Sequence, residues 1–199
     1  MLFRSRSSII LLSVAGILIL AIFWGVSKYN GLVTKDEAVS GQWANVENQY
    51  QRRADLIPNL VATVKGYASH ESETLEGVVA ARAKATQITV DPNNLTPEKL
   101  QQYQAAQGEL SSALGKLLMI TENYPELKAN QNFLELQAQL EGTENRITTE
   151  RGRFNELSKD FNATVRKFPT NIVASLAGFE KKAYFEAEEG SEKAPEVKF

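Results

Sequence analysis

From Trp43 onward the apolar side chains recur in alternating steps of three and four: Trp43, Val46, Tyr50, Ile57, Leu60, Val64 and Tyr67, with Arg53 as the one charged intruder. That spacing is one face of an α-helix. Pro58 sits inside it, where a missing N–H and a crowded preceding turn cost roughly 3 kcal/mol. Had Pro58 opened a new helix, the N-cap would be Ile57, among the poorest of caps. Because the phase crosses Pro58 without a slip, the pattern predicts a kink inside one continuing helix.

The stretch from Gly66 through "ASHESE" loosens the pattern. A second helix is then expected over Leu75, Val78, Val79 and an Ala-rich run to about Ile88. In "TVDPNNLTPEKL" a loop is followed by a start signal, with Thr96 as N-cap, Pro97 first in the helix and Glu98 in its first turn. The third helix carries Leu100, Tyr103, Gln107, Leu110, Leu114, Leu117 and Thr121 on one seam. Gly108 and Gly115 share a face, either to admit a neighbouring helix closely or as tolerated glycines. Pro125 breaks this helix and begins the longest one, whose seven-residue repeat is Phe133, Leu140, Ile147, Phe154, Phe161 and Phe168, with Leu136 and Leu157 between. Between those two leucines the intermediate positions turn polar, at Thr143, Glu144, Glu150 and Arg151. Pro169 ends the helix, "NIVASLAG" makes a short amphipathic turn to Gly178, and an irregular tail follows. No strand alternation appears, so the expected fold is all-α: an antiparallel, up-and-down four-helix bundle.

Ahead of the bundle stands "IILLSVAGILILAIFWGV", residues 9–26, without a charge and flanked by Arg4, Arg6 and Lys28. At 1.5 Å per residue it reaches about 27 Å, close to the hydrocarbon thickness of a bilayer. Trp24 and Tyr29 lie at its far end, where amphipathic rings favour the interface. A cleaved signal peptide shares the basic start and apolar middle, but "FWGVSKYNG" offers no small-x-small cleavage site. A single-pass transmembrane helix is therefore expected, with the first bundle helix continuing from it. Arg4 and Arg6 stand on a short leading tail, against Lys28 and Lys35 on the other side, which favours a cytoplasmic tail and an extracytoplasmic bulk. The expected organisation is a basic tail over 1–8, the span over 9–26, the bundle over 27–178 and the irregular tail over 179–199.

Composition narrows the chemistry. A chain of 199 residues accommodates one domain and an appendage. A formal net charge of −2 gives no dense Lys/Arg face, so nucleic acid is not an expected partner. Cysteine is absent, which removes disulfides, thiolate nucleophiles, cysteine zinc sites and a lipoprotein anchor. Only one histidine, His70, remains. It lies beside Glu71 and Glu73, but with no HExxH spacing it reads as a surface or packing residue, and no metal or other cofactor is expected.

Several segments together resemble the LemA family of bacterial membrane-anchored proteins. They are "YNGLV" (29–33), "RRADLIPNLVATVKGYASHE" (52–71), "YPELKANQNF" (124–133), "LEGTENRI" (140–147), "GRFNELSKDFNATVRKFPTNIVASLAGF" (152–179) and the tail "YFEAEEGSEKAPEVKF". The resemblance covers essentially the whole chain after the span. It implies a single-pass anchor and an up-and-down four-helix bundle of mirror-type topology. It implies no catalytic reaction, only associations with envelope maintenance and magnetosome formation.

The charged intruders are the main candidates for a structural site. Arg53, Glu144, Glu150 and Arg151 fall where periodicity assigns the core, and an unpaired buried charge costs several kcal/mol, on the order of a whole domain's margin. One reading is an ionic layer, Arg53 with Glu144 or Glu150, that fixes helix register. The other is an Arg53 that snorkels to water. Pro58 leaves the Ala54 carbonyl without its intrahelical donor, which Asn145, Arg146, Arg151 or water could replace. Carboxylate pairs for hydrolysis are available in principle among Glu47, Asp55, Glu144 and Glu150, yet helical bundles carry such groups routinely on solvated faces. A di-iron site would want E-x-x-H motifs, and the chain has none. Phe199, with its ring and terminal carboxylate, is either a partner-binding end or packs along the bundle. The expected function is a non-enzymatic scaffold or adaptor of the bacterial cell envelope, held in the inner membrane and meeting other envelope proteins or copies of itself. The alternative is a sensor with a small ligand in a bundle pocket.

Overall fold

The computed structural model describes residues 6–186, so the predicted role of Phe199 lies outside the described residues. All regular structure among them is helical: α1 Arg6–Tyr67, α2 Ser72–Gln87, a 3₁₀ turn Pro92–Asn94, α3 Pro97–Thr121, α4 Pro125–Lys128, α5 Gln131–Arg166 and α6 Thr170–Ala177. The longest is α1, at 62 residues, against 36 for α5. The apolar span and the first bundle helix are thus one uninterrupted helix, and Pro58 lies inside it. The helices form two compact units, Met1–Val39 with Leu157–Lys181, and Ser40–Glu156 with Lys182–Phe199.

In the second unit four helical stretches share one core. The expected seams are buried: Trp43, Val46, Tyr50, Ile57, Leu60 and Val64 on α1, and Leu100, Tyr103, Leu110, Leu114 and Leu117 on α3. Phe133, Leu140, Ile147 and Phe154 do the same on α5, and Leu75, Val78 and Ala85 on α2. Tyr67 is the exception on α1; it stands at the helix end, 41% exposed, and the buried position passes to Ala68. Contacts give the helix order of an up-and-down bundle. Arg82 meets Ala54, Gln107 meets Ala85, Arg53 meets Glu144, and Asn130 meets Tyr67, so each helix runs opposite to the one before it.

Local signals set the helix ends. The Thr96 hydroxyl accepts the Lys99 N–H at 3.3 Å and Pro97 occupies the first turn, as the sequence predicts for α3. The Asn130 side chain accepts the Phe133 N–H at 3.0 Å and caps α5, which separates it from the four-residue α4. Gly108 and Gly115 are not close-approach sites, because a Cβ built on either meets no atom within 4 Å.

In the first unit the apolar side chains of the span, Ile9 to Val26, point outward, with Leu11 71% and Phe23 72% exposed. The helix is long and apolar enough to cross a membrane. Beyond it, Leu32, Val39 and Phe161 are buried, Lys35 pairs with Asp160, and Phe179 packs on Tyr29 and Phe161 at ring distances of 5.8 and 6.1 Å. Phe168, expected to continue the α5 core repeat, instead lies in the turn past Arg166 and is 81% exposed. α6 stops at Gly178, whose φ of 76° suits glycine, and the Phe179 N–H closes back on the Ala174 carbonyl at 2.9 Å.

The carbonyl that Pro58 orphans has a partner, and it comes from α2: Arg82 Nε donates to Ala54 O at 2.7 Å. The donors named from sequence were water or the α5 side chains Asn145, Arg146 and Arg151. A charged donor to a half-buried carbonyl contributes about 1.5–3 kcal/mol. Arg82→Met should destabilise the protein by roughly 1–3 kcal/mol in urea unfolding. In a Pro58→Ala background, where residue 58 regains its own N–H, the same change should cost clearly less; equal costs would show that Arg82 does not serve this carbonyl.

Candidate functional site

Arg53 lies on the α1 seam between Tyr50 and Ile57 and is 2% exposed. It does not snorkel. Its Nη1 donates to Glu144 Oε2 at 2.8 Å on α5 and to Ser111 Oγ at 2.7 Å on α3. Its Nη2 donates to the Gln107 side-chain oxygen at 2.7 Å and to the Gln107 carbonyl at 3.2 Å. The guanidinium also sits over the Tyr50 ring at 5.2 Å. Gln107 in turn donates to the Ala85 carbonyl of α2 at 3.3 Å. The layer therefore joins α1, α2, α3 and α5. Its charges are unequal in burial, since Glu144 keeps half its side chain in water.

The other two residues of the expected layer serve elsewhere. Glu150 accepts Gln42 Nε2 at 2.6 Å and Arg153 at 2.8 Å. Arg151 lies over the Phe185 ring at 4.9 Å and donates to the Glu186 carbonyl at 3.0 Å. It belongs to a second site that sequence reasoning did not find. Here the irregular segment 183–186 is gripped by side-chain amides: Asn155 donates to the Phe185 carbonyl at 2.9 Å and accepts its N–H at 2.8 Å. Gln104 does the same for Glu186, at 3.0 and 3.4 Å. Phe185 stacks on Trp43 at 5.8 Å and meets Phe154 edge-on at 5.4 Å. Asn and Gln on partly buried helix flanks carry no pattern that announces such a clamp; only the aromatic Trp43 and Phe154 on the seams hinted at an apolar socket.

Beside the layer an open cleft of ≈ 330 Å³ is lined by Arg53, Gln104, Gln107, Ser111, Glu144 and Arg151, among others. Most of these groups already satisfy one another. The four carboxylates considered for catalysis are dispersed: Asp55 accepts from Gln51 at 2.7 Å, while Glu144 and Glu150 have the partners just given. Burial raises the Glu47 carboxyl above its ordinary value, with the Trp43 indole one turn away acting against it. Burial likewise pushes the Tyr103 phenol far above its usual range, reinforced by Tyr50 and Glu47. His70 is exposed in the turn between α1 and α2, and among the described residues no group of three or more His, Asp or Glu stands ready to hold a metal ion.

The sequence model of the LemA family matches residues 42–199. The chain belongs to the LemA family. It is 27% identical over 183 residues to magnetosome protein MamQ 2 of Paramagnetospirillum magneticum, covering 80% of this chain and 65% of that one. It is 26% identical over 175 residues to magnetosome protein MamQ of Magnetospirillum gryphiswaldense, at 79% and 64% coverage. Protein LemA of Metamycoplasma hominis is also 26% identical over 175 residues, covering 87% of this chain and 76% of the relative. The chain thus spans about two thirds of the magnetosome relatives' length. The match places both Arg53 and the clamp of segment 183–186 inside the family region.

Removing Arg53 should be costly. Arg53→Met leaves Gln107 and Ser111 short of a donor, while Glu144 rehydrates, so a loss of about 2–4 kcal/mol is expected in urea unfolding. Arg53→Lys should recover only part of it, because an ammonium cannot fork to α3 and α5 at once. For Glu47 the sign is the opposite of a paired carboxylate. Its folded-state value is raised above 4.5, so the folded protein holds the proton more tightly than the unfolded chain does. Glu47→Gln should be more stable than the parent at neutral pH, and the gap should close as pH falls through the raised value toward 4.5.

Proposed function

We propose that this LemA-family protein is a non-enzymatic scaffold or adaptor of the bacterial cell envelope. Residues 9–26 anchor it in the inner membrane, and the bundle stands on the extracytoplasmic side and works through protein contacts. The observation that supports this reading best is where apolar surface is spent in the bundle unit. Its interior is filled by interlocked seams and one ionic layer in which both terminal nitrogens of Arg53 are paired, whereas Met119, 74% exposed, and Leu134, 46% exposed, flank an outward-facing cleft of ≈ 340 Å³ between α3 and α5. Exposed apolar side chains around a depression favour contact with another protein. The relatives named for the magnetosome are named for a structure and not for a reaction, which fits an assembly role.

The sensor alternative draws on the cleft beside Arg53. Its walls are guanidinium, amide and carboxylate groups already paired with each other, not the mainly apolar wall with a few free polar groups that small ligands favour. The adaptor is therefore the better reading, with an envelope protein or another copy of this chain as partner.

Photocrosslinking in living cells tests it. A benzophenone amino acid placed at Met119 or Leu134 of the full-length protein should capture a reproducible neighbour of defined mass, and the same probe at exposed Ser112 on α3 should not. Recovery of monomer alone from both cleft positions would count against an adaptor acting through this face.

A further inference from the structure

We infer that α6 and the turn before it are a second membrane contact, an interfacial element that rests on the lipid headgroups beside the anchor. Its apolar face is uncovered. Leu176 is 86% exposed, Phe168 81% and Ile172 51%, while Thr170 and Ala174 on the other face are buried against the protein. Ile172 and Leu176 are one helical turn apart and so share a face. A helix this short that turns its leucine and isoleucine outward has its hydrophobic side toward the surroundings.

The placement is what selects a lipid surface. Phe179, just past Gly178, packs on Tyr29 at 5.8 Å. Tyr29 lies only three residues beyond the span that ends at Val26, about 4.5 Å at the helical rise. The end of α5 reaches the same level. Lys35 on α1 pairs with Asp160 on α5, and from that pair Tyr29 and Arg166 are each six residues nearer the membrane along oppositely directed helices. Phe168 follows two residues later, level with the end of the span. An apolar face at that height meets the boundary between headgroups and acyl chains, where amphipathic helices settle.

Charge agrees with the placement. Arg166 and Lys167 immediately precede the exposed Phe168, and Lys181 stands two residues past Phe179 beside Glu180, so three exposed cations face one exposed anion. Cations bordering an apolar face at the membrane surface are drawn to anionic headgroups. A single span leaves the first unit free to rotate about the span, whereas a second contact would fix how that unit meets the bilayer.

The inference rests on residues 9–26 being a membrane span, and the test separates the two. Because the chain has no cysteine, single-cysteine variants of the full-length protein can carry a nitroxide label without further changes. The variants Leu176→Cys, Ser112→Cys and Leu20→Cys would be reconstituted in vesicles of phosphatidylcholine with phosphatidylglycerol. Collisions with oxygen and with a water-soluble nickel chelate then report depth. The label at 176 should be several-fold less accessible to nickel than the one at 112 and more accessible to oxygen, and replacing phosphatidylglycerol by phosphatidylcholine should lessen the difference. If 20 is immersed while 176 is as accessible to nickel as 112, the second contact is overturned and the anchor stands. Should neither be immersed, both fall. Protection of 176 in native membranes but not in vesicles would mean that a protein covers the face, and would overturn the lipid assignment. Leu176 is almost wholly exposed, so its replacement should leave the thermal unfolding of the protein unchanged, and a Leu176→Trp variant quenched by brominated lipid gives an independent reading.

Discussion

One buried guanidinium sets the geometry of the bundle unit. Arg53 spends its terminal nitrogens on α3 and α5, and the next residue, Ala54, receives Arg82 from α2. At a single level of α1, two successive residues therefore tie it to the three other helices. A buried ion pair seldom adds much net stability over a well-packed apolar layer, because desolvation offsets the attraction. What it adds is discrimination. A one-turn slip of α1 past α3 would strand the guanidinium among leucines, and an unpaired buried charge costs far more than a mismatched methyl group. Proline reinforces the same point: it removes the Ala54 carbonyl's own donor and so makes α2 in its correct register the way to satisfy it.

The legibility of the fold follows from where hydrophobicity is periodic. The seams of α1, α3 and α5 could be read almost residue by residue, because each buries a narrow stripe repeated in steps of three and four. Arg53 stood out for the same reason, as a charge inside a stripe. Its acceptor on α5 was among the two carboxylates expected from spacing, but Gln107 and Ser111 were not singled out, since neutral polar residues at a seam look like ordinary tolerance until a cation is seen to need them. Arg82 was invisible for a different reason. It lies on the partly exposed flank of an Ala-rich helix, and nothing in local sequence says which flank faces the orphaned carbonyl. Phe168 misled in the opposite direction: the heptad count placed it in the core, but the helix that carried the count had already ended at Arg166.

The grip on segment 183–186 belongs to another class of interaction. A chain with neither helix nor strand must find partners for its backbone groups when it lies against apolar surface. Here Asn155 and Gln104 each offer a donor and an acceptor, as a neighbouring strand would, so the segment gains the hydrogen bonding of a sheet edge on the surface of a helical bundle. Since the amides read only the main chain, side-chain selectivity falls on Phe185, enclosed by Trp43 and Phe154 with Arg151 over its face. Aromatic stacking and a cation over the ring each add on the order of 0.5–1.5 kcal/mol. The clamp on Glu186 is indifferent to its side chain, whereas the aromatic socket is fitted to the ring of Phe185. That division of labour explains how a segment without regular structure is held in one place.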